Sequence, residues 1–285
     1  MKEGHSQVEL VIHAKRRWFS FNLKEVWRYR DLLRLLVQRD FKATYTQTVL
    51  GPIWFLISPL FTVFIYSIIF GRIAKIPTES VPPPLFYMAG IALWSYFSSC
   101  FTGVSNSLAQ NKGLYGKVYF PRLIVPISIL VSQLIRLGFH MLVLACLALF
   151  FLFKDGFFVL PSLHQLLFLP VWVFLTALLS LGFGLILAAL TTKYLDFNHF
   201  VSFGLGLLMY ASPIIYPGRF LPENLRIYAE FNPLFTFIEG FKYSLLGAGE
   251  FNFTHLISSS LLTLLVLLMG LFAFNAVEHN FTDTI

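Results

Sequence analysis

Charge is what this sequence has least of. Only 12% of its 285 residues are Asp, Glu, Lys or Arg, about half of the roughly 25% that soluble domains carry. The shortage is concentrated in long runs. No charged residue occurs in 43–71, 80–111, 156–192, 197–218 or 251–277, and 123–153 holds only Arg136. Each run reaches or exceeds the ~20 residues that a helix needs to cross a bilayer. A soluble globular domain is thereby excluded, and an all-α polytopic membrane protein is expected. The mean hydropathy of +0.73 agrees.

Other absences narrow the chemistry. The two cysteines, Cys100 and Cys146, fall in expected spans, so packing thiols and no disulfide are expected. The seven histidines are scattered with no ligand spacing, and no acid-rich pair accompanies them, which argues against a membrane enzyme or a metal centre. The spans contain no Asp or Glu, the groups that proton- or sodium-coupled carriers place there. No nucleotide loop is found. The nearest candidate, Gly116-Lys117-Val118, has Asn111 where glycine is needed and Val118 where Ser or Thr is needed. Any ATP dependence must come from another subunit, and no cofactor is expected on this chain. Apolar residues do not accumulate before residue 49, so no cleavable signal peptide is expected.

What is present has a direction. Six spans are expected near 50–70, 85–107, 123–153, 168–191, 197–217 and 256–276. The run 156–192 is long enough to be two, but Pro161 and Pro170 read as marking an interfacial lead-in to one. Of the Lys and Arg outside the spans, fourteen lie in the N-terminal segment and the loops at 108–122 and 192–196, against six in the alternate loops. Both termini are therefore expected in the cytoplasm. The basic balance reads as topology and attraction to lipid headgroups, and no nucleic acid is implied.

Three segments stand out. Residues 29–48 read as an amphipathic helix lying on the membrane surface, with Leu33, Val37, Phe41 and Tyr45 in one row and Arg34, Gln38 and Lys42 in the next. Asp40 interrupts the apolar side. The helix either anchors only or also meets another protein. The loop 107–122 carries Lys112, Lys117 and Arg122 with no acid and suits a projecting contact with a partner. Residues 212–250 hold four prolines, and from Leu225 to Gly247 apolar patches are interrupted by Glu230, Glu239 and Lys242. Paired helices near 222–246 that dip into the outer leaflet are one reading, and a surface loop with interfacial aromatics is the other.

Aromatic residues are plentiful, at 18% of the chain. Belt and packing roles account for most single rings. Tyr45, Trp54, Tyr66, Tyr87, Trp94, Tyr96, Phe97, Tyr194, Phe197, Tyr210 and Tyr216 lie near span ends and in the fifth span. If they face a lumen, their rings can stack on sugar faces while hydroxyls exchange hydrogen bonds with a glycan.

The runs YRDLLRLLVQRDFKATYTQTVLGPIWFLISPL (29–60), LYGKVYFPRLIVP (114–126), YLDFNHF (194–200), SPIIYP (212–217) and NPLFTFIEGFKYSLLG (232–247) together resemble permeases of the type-2 ABC exporters. The likeness is to the branch that moves O-antigen, capsule and teichoic-acid polymers. Its most specific part is the Arg-Asp-x-Lys-x-x-Tyr run followed by Leu-Gly-x-x-Trp. The resemblance implies a homodimeric channel in the bacterial cytoplasmic membrane, driven by two separate ATPase subunits that hold the ATP and Mg, and carrying a lipid-linked polysaccharide. Residues 1–28 carry no motif, and 49–285 would be the permease domain. Arg34, Gln38, Arg39 and Lys42, with Asn111, Lys112, Lys117 and Arg122, would couple to the ATPase. Asn232, Pro233, Glu239 and Lys242 would belong to an extracytoplasmic gate. An exporter of smaller amphipathic molecules and an ATPase-independent channel are the competing readings.

Overall fold

The computed structural model describes residues 27–45, 50–111, 113, 120–157, 161–191, 196–249 and 251–280. Among these residues every regular element is helical. Helix α1 spans Arg30–Tyr45 and is followed by a 3-10 turn at Gly51–Ile53. Helix α2 spans Trp54–Tyr66 and continues as π-helical turns over Ser67–Ile73. Next come α3 (Pro83–Ser105), a single turn at Ser107–Gln110, α4 (Ile124–Asp155) and α5 (Leu163–Thr191). Helix α6 covers Phe197–Tyr210, and the short α7 covers Glu223–Glu230. Helices α8 (Pro233–Leu246) and α9 (Phe253–Asn280) complete the order.

Among the described residues four helices are long and apolar enough to cross a membrane: Trp54–Ile73, Ile124–Asp155, Leu163–Thr191 and Phe253–Ala276. The expected fourth span starts earlier than 168, because α5 runs straight through Pro170. That proline therefore does not mark a lead-in. The helix within the expected fifth span stops at Tyr210, seven residues short of 217. Pro213 and Pro217 cannot donate backbone hydrogen bonds, and the chain there leaves helical geometry.

Helix α3 is the centre of the bundle. Phe86, Tyr87, Met88, Leu93, Phe97 and Cys100 on it are all buried, and α4, α5 and α8 pack around it. The broadest helix pairing joins α5 to α9. The two helices come together where Gly182 meets Gly270: an added methyl at Gly182 would lie 2.8 Å from the Leu267 backbone, and one at Gly270 would overlap the Gly182 carbonyl, a close approach that small residues permit between membrane helices. Outward faces stay apolar. Phe61, Phe64 and Ile73 on α2, Leu149 and Phe153 on α4, and Leu261 and Leu265 on α9 are all exposed. So much exposed apolar surface fits lipid contact and not water. Cys100 is buried as expected, whereas Cys146 is exposed on α4; neither is in a disulfide.

Candidate functional site

Functional candidates gather at two ends of the bundle. At one end α1 docks on the start of α4. Leu36 is the buried anchor and packs with Phe120, Ile124 and Val125, flanked by Tyr29, Leu32 and Leu33. The docking face of α1 and its lead-in is thus Tyr29, Leu32, Leu33 and Leu36: it shares Leu33 with the expected row but is rotated toward Leu32 and Leu36, while Val37 and Phe41 are half-buried beside it. The rotation follows from its partner: α4 opens with a hydrophobic surface that takes Leu36. Arg34, Gln38 and Lys42 remain on an exposed face, as expected. Arg39 pairs with Asp40 at 2.8 Å and donates to Asn111 Oδ1 at 3.3 Å, tying α1 to the end of α3. Arg122 is half-buried beside this junction. Lys112 and Lys117 lie outside the described residues.

The expected aromatic set divides by burial. Tyr87, Trp94, Tyr96 and Phe97 are buried inside the single chain and do not line an open surface. Neighbouring helices cover most of α3, leaving only Thr102 exposed on it, so these rings become packing: Phe97 stacks on Phe101 at 5.8 Å, and the Tyr96 hydroxyl donates to the Leu130 carbonyl at 3.4 Å. Trp54 and Tyr210 are exposed, whereas Tyr66, Phe197 and Tyr216 are half-buried. Tyr66 reaches from α2 to α6, its hydroxyl 4.0 Å from the Met209 sulfur. Tyr216 donates to the Tyr210 carbonyl at 2.9 Å. Tyr194 and the side chain of Tyr45 lie outside the described residues.

At the other end α7 and α8 form a cap over α3 and α5. Asn232 caps the N-terminus of α8, its Oδ1 accepting from the Leu234 N–H at 3.1 Å, and Pro233 occupies the first turn. Lys242 is fully buried. Its ammonium donates to the Pro213 carbonyl, lies 3.7 Å from the centre of the Phe86 ring and is 3.9 Å from Glu239 Oε1. Glu239 accepts from the Gly218 N–H at 3.2 Å. Burial pulls the Lys242 pKa down to about 8, while Glu239 and then Glu79 pull it up. The Asn232, Glu239 and Lys242 cluster therefore pins α8 onto the non-helical 212–218 segment.

Sequence reasoning missed Glu79. It sits in a turn between α2 and α3 closed by the Val81 N–H to Thr78 carbonyl bond at 3.0 Å. Glu79 and Ser80 both take positive φ, 51° and 65°, a conformation that costs energy outside glycine. The turn brings Glu79 Oε2 to 2.6 Å from the Gly249 N–H and its other oxygen to 3.9 Å from Arg219. One signal was available: Glu79 is the single acid between Asp40 and Asp155. Arg136 was noted as the lone span charge, but its setting was not legible. It lies over the Phe55 ring at 4.9 Å and donates to Ser99 Oγ at 3.4 Å. Among the described residues no group of three or more His, Cys, Asp or Glu is arranged to hold a metal.

Comparison with known proteins covers most of the chain. A family model described as ABC-2 type transporter matches residues 31–246. The O-antigen export system permease protein RfbA of Klebsiella pneumoniae is 27% identical over 253 residues, 89% of this chain and 94% of that protein. The protein of the same name from Myxococcus xanthus is 30% identical over 196 residues, 68% of this chain and 72% of its own. The polysialic acid transport protein KpsM of Escherichia coli is 24% identical over 205 residues, 72% of this chain and 77% of KpsM.

Proposed function

Because the chain belongs to the ABC-2 type transporter family, we propose that it is the permease subunit of a bacterial exporter that carries a lipid-linked polysaccharide across the cytoplasmic membrane. The carrying observation is the near end-to-end match to O-antigen export permeases, 89% of this chain and 94% of the relative. Two copies of the chain form the conduit, and two copies of a cytoplasmic ATPase subunit, holding ATP and Mg, drive it. The chain itself is a channel and not a catalyst. The excess of Lys and Arg near α1 and the 107–122 loop supports a cytoplasmic position for that end and for both termini.

On this reading the helices α3 and α6 serve as the second and fifth spans beside the four longer ones. Helix α3 has 23 residues with no charge, enough to cross, and it lies protected inside the bundle. Helix α6 has 14, and the non-helical 212–218 segment completes the passage where protein and not lipid surrounds it. Helices α7 and α8 return as a pair on the extracytoplasmic side.

Force reaches the conduit through packing. Nucleotide-driven movement of the ATPase displaces the 107–122 loop. The Arg39–Asn111 bond and the Leu36–Ile124 contact carry that displacement to α1, which leads through the Gly51–Ile53 turn into α2. Helices α2 and α6 present the aromatic faces along which a glycan slides by weak, repeated contacts.

Two experiments test this. Reversing the exposed cations in an Arg34→Glu/Lys42→Glu double variant should lower copurification of the ATPase several-fold and lower polymer export in parallel. An undiminished yield of the complex would remove α1 from the motor contact. Separately, Trp54→Ala and Tyr210→Ala should lower export several-fold without changing the amount of folded protein, since both rings are exposed. Wild-type flux in both would take these rings off the polymer path.

A further inference from the structure

A cavity of about 210 Å³ lies between α1, the start of α2, the end of α3 and the first half of α4. At the liquid volume of roughly 30 Å³ each it has room for about seven waters. Two guanidiniums, Arg39 and Arg136, are among its walls, with a single carboxylate, Asp40. Arg39 donates from Nε and Nη2 to one Asp40 oxygen, at 2.9 and 2.8 Å, and from Nη1 to Asn111 Oδ1 at 3.3 Å, so a phosphate would take the Arg39 fork in exchange for Asp40. The remaining polar wall comes from neutral groups, Gln110, Asn111, Ser132 and Gln133. Gln133 Oε1 is buried and has no hydrogen-bond partner. Its terminal amide can turn to present N–H donors instead.

We infer that this cavity binds the phosphate group of a lipid headgroup, held between Arg39 and Arg136. Guanidinium forks match phosphate oxygens in pairs, with directional, charge-assisted hydrogen bonds. A guanidinium within a membrane helix is costly and tends to mark a site that uses it. Arg136 is the only charged residue from 123 to 153, and the Phe55 ring beneath it fixes its position. A lipid and not a free ion is favoured by the rim: Ile135, exposed on α4, lines the same cavity, so the polar pocket abuts an apolar surface where a hydrocarbon chain can lie. The inference rests on the lipid-linked substrate of the proposed function. The phosphate could belong to that carrier or to an anionic membrane phospholipid; the chemistry recognised is the same.

The test uses the full chain with its ATPase in detergent and a fluorescent farnesyl diphosphate analogue as probe. The wild type should bind the probe, Arg136→Gln should weaken binding at least tenfold, and Arg136→Lys should weaken it less. Asp40→Asn should tighten binding, an effect that misfolding would not produce. Competition identifies the source. Displacement by unlabelled farnesyl diphosphate but not by phosphatidylglycerol supports the carrier, and equal displacement by both supports a membrane phospholipid. Displacement by inorganic pyrophosphate alone, with neither lipid competing, would overturn the assignment to a lipid. Wild-type affinity in Arg136→Gln and in Arg39→Gln would overturn the site. That last failure, in a chain that still exports polymer, leaves the transport reading standing, whereas intact binding in a chain that complements no export mutant refutes the transport reading alone.

Discussion

Glu239→Gln should lower stability most at a pH low enough to keep Lys242 charged, where stripping one partner from a buried ion pair costs about 3–5 kcal/mol. The substitution keeps shape and keeps an oxygen to accept the Gly218 N–H, which lies 3.2 Å from the native carboxylate. What it removes is the negative charge 3.9 Å from Lys242, whose side chain is 0% exposed. The ammonium would keep the Pro213 carbonyl and the Phe86 ring, neither of which carries a full charge, and the weaker pull of Glu79. The pH dependence has a definite sign. Burial already holds the Lys242 pKa near 8, below the ordinary 10.5, against the opposing pull of Glu239; without Glu239 it falls further. The folded chain then releases this proton before the unfolded chain does. The penalty is complete below the folded pKa and relaxes as pH climbs from there toward 10.5. The deficit of Glu239→Gln against the wild type, read by thermal unfolding in detergent, should therefore narrow as pH rises. In Glu239→Gln/Lys242→Met most of the loss should return, because both charges are gone. A deficit that is flat with pH and persists in the double variant would mean that the carboxylate is not serving as the counter-charge.

How much of this was legible beforehand depended on whether the signal was local. The run 123–153, apolar but for Arg136, matches α4 within two residues at each end, because a long apolar run with a charged stop fixes a helix of that length by itself. The paired helices expected near 222–246 appear as Glu223–Glu230 and Pro233–Leu246. There Pro222 and Asn232-Pro233 are start signals and Gly247, at φ 65°, is the stop. Facing was harder. Helix α3 has no charge, and its one polar row, Ser95, Ser98, Ser99 and Thr102, is confined to the second half, so the pattern left the facing of its rings open, and Tyr87, Trp94, Tyr96 and Phe97 turned out to be interior. The buried stripe of α1 was set by α4, almost ninety positions away in the chain. Glu79 and Lys242 belong to one charge cluster although 163 positions separate them, and only the fold brings them together. The cap was thus readable as helices, while the buried charges that hold it down were not.

Gly240→Ala should destabilise the chain, although alanine is the better helix former by about 1 kcal/mol. The reversal of sign is the prediction. Gly240 lies on α8 against the indole of Trp172 from α5, and a methyl group there would overlap the six-membered ring. Trp172 has no free space to yield into: it is buried, with the Phe168, Phe237 and Phe251 rings centred 6.3, 6.4 and 6.0 Å away. One turn further along α8, Ser244 Oγ accepts from the indole Nε1–H at 2.9 Å. Gly240 and Ser244 together make a slot that fixes the cap helix to a long span. Overpacking of this kind costs about 1–3 kcal/mol, and pushing the helices apart would break the indole bond as well. Ser244→Ala, which removes only the acceptor, should cost about 1–3 kcal/mol for the buried N–H left unpaired. In a Trp172→Leu background Gly240→Ala should cost less than it does in the wild type, since the smaller side chain vacates the volume that the methyl needs. If Gly240→Ala melts at or above the wild-type temperature, the slot is wider than the ring contact indicates, and the cap is held by its buried charges alone.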